Sequence, residues 1–289
     1  MASKNDFTNS INIYIFHEYS NEEYIMGTLS SIFGKKLLFI AIIVILTGCS
    51  SVRSSRFAIS QEIHDANYLM VKANSKIGSG DFSGAIDIGN QILMLLDDSN
   101  FVRDEMKYKA AIQRANAWYL IGTSKLFLSV QQDGHENNFN YILPLLGTPK
   151  GGSTEFEKAL SEISDGEQTP HKYRSQINPY LTKARAYMFL GRFQDAEATF
   201  LDSIEWTSQA SPPQQFLYAD YYWRAYLRNL KGFSMSVNDP DNKQSIRQMW
   251  SYAIEDIKRA QKNTSNSSAY DALENWIKEM EDKLKLVKL

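Results

Sequence analysis

Tyr180-Leu-Thr-Lys-Ala-Arg-Ala-Tyr-Met-Phe-Leu-Gly-Arg-Phe-Gln-Asp-Ala-Glu-Ala-Thr-Phe, residues 180–200, is the stretch that decides the fold. Apolar and small residues recur three and four positions apart on either side of Gly191, the spacing of two amphipathic helices. Gly191 interrupts the pattern where a helix must end and the chain must turn. Ala184 and Ala196 are small enough to let the two helices approach closely, while Phe193 and Phe200 are large enough to fill the space beside them. The expected local structure is a helical hairpin.

The order of residue types resembles a tetratricopeptide repeat. Tyr180 stands near the start of the first helix, Ala184 and Tyr187 follow, Gly191 and Phe193 make the turn, and Ala196 and Phe200 lie in the second helix. Ser203 departs from the pattern, which prefers Ala there, and no Pro closes the unit. The resemblance implies an all-α stack of antiparallel hairpins, either a tetratricopeptide-like solenoid or a helical bundle, and a role in protein binding.

Working outward, residues 69–93 repeat the scheme with Ala73, Gly80-Asp81-Phe82 and Ala85-Ile86, although Gly89 stands where a large apolar residue is expected. Gly80 and Gly191 are separated by a little over three repeats of about 34 residues. A long helix is expected from about Arg103 to Val130, and residues 131–154, with Gly, Asn, Pro and Lys, read as an extended, partly irregular connection. Helices over 214–231 and 244–262 pair across an insertion from Gly232 to Asn242, with Ala225, Trp250, Ala253, Ile257 and Ala260 at packing positions. A charged helix from about Ala269 to Val287 closes the stack as a cap.

Toward the amino terminus, Lys35-Lys36 precede an apolar run from Leu37 that ends in Leu46-Thr47-Gly48-Cys49. Basic flank, short apolar core and small residues are the layout of a secretory signal, not of a membrane span. Leu46-Thr47-Gly48-Cys49 resembles the lipobox of bacterial lipoprotein signal peptides. That resemblance implies recognition of Leu46, Thr47 and Gly48 by a signal peptidase, cleavage before Cys49, and a lipid on the Cys49 thiol with fatty acids such as palmitate. Ser50 stands where Asp favours inner-membrane retention in enterobacterial lipoproteins, so the resemblance points to the outer membrane, facing the periplasm. Two or three acyl chains give near-permanent anchorage. The expected organisation is a non-native or disordered leader at 1–25, a signal peptide at 26–48 starting from Met26, a lipidated tether at 49–60, and a tetratricopeptide-like helical domain at 61–289.

Removing residues 1–48 takes away three lysines and four acids and leaves 28 basic and 29 acidic residues, with Cys49 the only cysteine. The balance gives no basic stripe for nucleic acid, and once Cys49 is lipidated no thiol remains for disulfides. No nucleophile elbow or zinc-protease motif is present, and His17, His64, His135 and His171 are scattered without a second ligand at a metal-binding spacing. No enzyme activity, cofactor or metal is expected. Gly147-Thr-Pro-Lys-Gly-Gly-Ser-Thr154 reads as a flexible loop, its Lys150 misplaced for a phosphate loop.

An aromatic run, Phe216, Tyr218, Tyr221, Tyr222, Trp223 and Tyr226, lies on one helix with Arg224 and Arg228. Its residues cannot all face one side, so some fill the core and others are available to line a groove. Tyr222 and Arg224 are the expected outward pair, contributing to partner binding and not to folding. The function expected is a membrane-anchored envelope scaffold or adaptor that binds a protein or peptide through a helical-repeat groove. The alternative is a periplasmic small-ligand-binding helical lipoprotein, for example one associated with a transporter.

Overall fold

The computed structural model describes residues 53–97, 104–134, 139–168, 178–209, 214–264 and 266–287. Among these there are ten α-helices and no strand: α1 (Arg53–Gly78), α2 (Phe82–Leu95), α3 (Asp104–Gln132), the short α4 (Phe139–Ile142), α5 (Ser153–Glu167), α6 (Tyr180–Phe189), α7 (Phe193–Gln209), α8 (Gln214–Asn238), α9 (Lys243–Lys262) and α10 (Ser267–Leu286). The protein is an all-α stack of hairpins. Each long helix packs on the next in the chain, and α1, α3, α6 and α8 also touch one another in sequence. Those four therefore form one layer, with α2, α5, α7 and α9 behind it.

Two of the turns are built alike. Gly80 and Gly191 have φ values of 79° and 75°. At the end of α1 the Gly80 N–H donates to the Ile77 carbonyl and the Asp81 N–H to that of Lys76. At the end of α6 Gly191 donates to Met188 and Arg192 to Tyr187. These paired bonds satisfy carbonyls that the helix leaves open, and they need a left-handed residue that only Gly adopts without strain. The Asp81 carboxylate then accepts from the Gly84 N–H and caps α2.

The packing residues of the quoted stretch sit where its pattern places them. Ala184, Ala196 and Phe200 are fully buried, and Tyr187 and Phe193 pack half-buried against the core. Tyr180 is half-buried and Gly191 is exposed at the turn. Gly89 has a packing reason of its own: a Cβ there would lie 2.5 Å from Ile121 Cγ1, so the missing side chain is what lets α2 close on α3. Buried Ser203, which departs from the repeat pattern, donates to Asp220 Oδ1 of α8 (2.5 Å) and accepts from Asn178 Nδ2 (2.9 Å), a polar tie between neighbouring hairpins.

Three expected boundaries are corrected. Helix α1 begins at Arg53, inside the segment 49–60 read as a tether. The described residues of the connection 131–154 carry regular structure: α3 runs to Gln132, α4 and a 3₁₀ turn at Leu143–Leu145 follow, and α5 starts at Ser153. Helix α5 had no counterpart in the sequence reading, since its apolar stripe, Phe156, Ala159 and Ile163, is set among Ser, Glu and Asp. It is held to α3 by Lys125–Glu155 and Arg114–Glu162 ion pairs, both 2.8 Å. The insertion 232–242 is mostly helix, because Gly232 makes room for the Trp250 indole of α9 and α8 continues to Asn238. In α10, Leu273, Ile277 and Met280 face inward, and Arg247 of α9 donates to the Leu284 and Val287 carbonyls at its end. The leader, the signal segment with Leu46, Thr47 and Gly48, and Cys49 lie outside the described residues.

Candidate functional site

Helix α8 carries the residues the sequence singles out, and burial overturns the expected outward pair. Tyr222 is 3 % exposed and Arg224 is 4 %. The Tyr222 ring lies 5.3 Å from that of Trp276 on α10 and 5.5 Å from that of Trp223. Burial pushes its hydroxyl well above the ordinary phenolic range, helped by nearby Tyr119. Tyr222 is core.

Arg224 is buried because it is paired. Its Nε and Nη2 donate to the two oxygens of Asp256 on α9, at 2.8 and 2.6 Å, a bidentate fork. Arg228 Nη1 donates to Asp256 Oδ2 at 2.7 Å, and its Nη2 reaches Glu197 of α7 at 2.6 Å. Burial works to lower the pKa of Arg224, but hydrogen bonding to Asp256 and the charges of Asp256 and Glu197 outweigh it, so the net shift is upward. The network ties α7, α8 and α9 together and leaves Arg224 no face for a partner.

Trp223 and Tyr226 of the run join a chain of rings through the layer of α3, α6 and α8. Tyr119 of α3 neighbours Phe156 (5.9 Å between centroids) and Phe189 (6.1 Å), Phe156 stacks on Phe189 (5.3 Å), and Phe189 meets Trp223 edge-on. Tyr226 continues to Phe139 of α4 at 5.3 Å, and Phe139 to Phe233. Phe139 and the fully buried Ile142 thus bring the α3–α5 connection down against α8. The Gly147 N–H donates to the Phe189 carbonyl at the end of α6, and Ser129 donates to the Lys150 carbonyl, which fastens the connection's far end.

An opening lies beside this connection. A cleft of about 400 Å³ lies between the 3₁₀ turn, the α6–α7 turn and the end of α8. Leu143, Leu146, Phe193, Phe233 and Val237 supply its apolar wall, while Asn140 and Asn238 bring side-chain amides to it. Val237 is 58 % exposed and Tyr141 of α4 is 37 %. No Lys, Arg, Asp or Glu lines it. Its residues come from three separated segments; Gly191 and Phe193 were read as turn and packing residues, and the cleft they help to form escaped the sequence reading. The one available signal was the apolar run Tyr141-Ile-Leu-Pro-Leu-Leu146 inside a segment read as loop.

No protein-family model, curated protein or solved structure matches this chain. Among the described residues no group of three or more His, Cys, Asp or Glu is placed to hold a metal ion. Among them, too, no helix is long and apolar enough to cross a membrane.

Proposed function

We propose that the protein is a bacterial envelope lipoprotein, anchored through Cys49 at the outer membrane, that acts as an adaptor for another envelope protein. The lipobox-like Leu46-Thr47-Gly48-Cys49 supports the anchor, and the cleft beside Val237 supports the adaptor role. An apolar, uncharged cleft rimmed by Asn140 and Asn238 suits the insertion of one or two apolar side chains, with the amides meeting the partner's backbone. This moves the binding surface away from Tyr222 and Arg224 to the α4–α6–α8 junction.

A photoreactive residue placed at Val237 tests the surface in intact cells. The expected result is a discrete crosslinked adduct that is absent when the same residue is placed at Lys278 on α10. Adducts of equal intensity from both positions, or none from Val237, would refute this placement. The anchor is tested separately by fatty-acid labelling, which Cys49→Ser should abolish.

A further inference from the structure

Contacts between the helices fix which way each one runs. Phe82 at the start of α2 stacks on Phe127 near the end of α3 (5.7 Å), while the Leu96 carbonyl, just past the end of α2, accepts from Arg114 in the first half of α3 (3.1 Å). Helix α2 is therefore antiparallel to α3, and α1, which turns back into α2 at Gly80, runs with α3. Helix α6 also runs with α3, because Thr182 donates to Asn116 and Arg185, further along α6, lies over Tyr119, further along α3. Helix α7 returns and α8 runs against it, since Ser203 meets Asp220 and the earlier Glu197 meets the later Arg228. The four helices of the first layer thus share one direction, and their starts and ends define two poles. Helix α9 runs back between them, and α10 starts where it ends, with Gln261 meeting Glu274 and Arg247 meeting Leu284.

The cleft at Val237 lies at the pole where these helices end. Gly191 and Phe193 follow α6, Ser234 and Asn238 belong to the last turns of α8, and its lining residues from 140 to 146 follow α3. Helix α1 starts at Arg53 at the opposite pole, and its 26 residues span ~39 Å at the helical rise. Only Ser50, Ser51 and Val52 separate Arg53 from Cys49, so an anchored Cys49 keeps the start of α1 within about 14 Å even with the chain extended. We propose that the cleft faces away from the membrane, held roughly 30–40 Å from the bilayer surface, and that its occupant is an uncharged apolar segment of a partner's water-exposed domain. The inference rests on reading Cys49 as the anchor and the cleft as the docking surface. The lining supports the choice of occupant. No charged side chain is there to meet a lipid headgroup or a charged peptide, and the amides of Asn140 and Asn238 suit a peptide backbone. An acyl chain offers neither amide a partner.

The test places the lipidated protein in vesicles of phosphatidylethanolamine and phosphatidylglycerol that carry an acceptor dye on a fraction of their headgroups. Cys49 is the only cysteine and its thiol holds the lipid, so a single introduced cysteine gives one site for a donor dye. Val237→Cys reports the cleft's pole, and Ser268→Cys, on the first turn of α10, reports the other; both positions are exposed. Energy transfer should be severalfold stronger from position 268 than from 237. Equal transfer, or more from 237, would overturn the orientation. Failure of the protein to float with the vesicles would overturn the anchor and the proposal with it, a result separable from a wrong orientation because it is read before any transfer is measured. In cells, the adduct from a photoreactive residue at Val237 should digest to a peptide of a water-exposed domain. An adduct with phospholipid or with a membrane-spanning segment would overturn the choice of occupant.

Discussion

The hairpins α6–α7 and α8–α9 are neighbours in the stack and are held together by different physics. In α6–α7 the contact is made by small and aromatic residues, Ala184, Ala196 and Phe200, and the turn is set by a single left-handed glycine. In α8–α9 the helices are longer, and their contact encloses a charged fork, Arg224 to Asp256, with Arg228 bridging onward to Glu197. The first hairpin is specified by residues within twenty positions of one another. The second depends on partners about thirty positions apart, so its sequence looks like solvent-facing charge until the fold brings the pair together. A buried ion pair is weak evidence of net stability, yet breaking half of one is severe, which makes the two hairpins respond differently to substitution.

The largest expected effect is in α8–α9. Asp256→Ala leaves Arg224 buried without a counter-charge and should cost about 3–5 kcal/mol in urea denaturation. Replacing the pair together, Arg224→Met with Asp256→Leu, should come within about 1 kcal/mol of wild type, and a double variant as unstable as the single would mean that the network, not its halves, stabilises the hairpin. Tyr222→Ala removes a buried ring against Trp276 and should cost about 3 kcal/mol. A melt unchanged by it would restore Tyr222 as a surface residue.

In α6–α7 the effects are those of volume and backbone. Ala196→Leu should destabilise by about 1–3 kcal/mol through overpacking, measured by the same urea midpoint. Gly191→Ala should cost about 1 kcal/mol from the left-handed backbone alone, since a Cβ there meets nothing within 4 Å. The smallest effect concerns the related turn at Gly80. The Lys76 side chain, hydrogen-bonded to Asp81, and then the Gly84 N–H hold that carboxyl below its ordinary value. Its contribution is therefore complete above about pH 4 and fades as pH falls through the lowered folded-state value. The difference in melting temperature between wild type and Asp81→Ala should be flat from pH 8 to 5 and shrink only in stronger acid.

Arg185 shows the limit of sequence reading most directly. It lies inside the stretch that reveals the hairpin, flanked by Ala184 and Ala186, and nothing in its neighbours marks it as buried. Its state is decided by Tyr119 and Trp223, rings from two other helices. The cleft at Val237 was hidden for a similar reason, because Leu143, Phe193 and Val237 converge only after the α3–α5 connection folds back onto α8. Helix α5 was missed because its narrow apolar stripe is diluted by polar residues that pair with α3.

The sequence by itself determined the helical class, the hairpins at Gly80 and Gly191, the long α3, and the packing roles of Ala184, Ala196 and Phe200. Each follows from a local rule: a period of three to four residues, a glycine where φ is positive, a small side chain where helices cross. Only the tertiary structure decided which side chains of α8 face inward, which arginines have a counter-charge, and where the surface opens. Burial and charge pairing belong to the space between elements, and a single chain pattern carries no record of what will stand across that space.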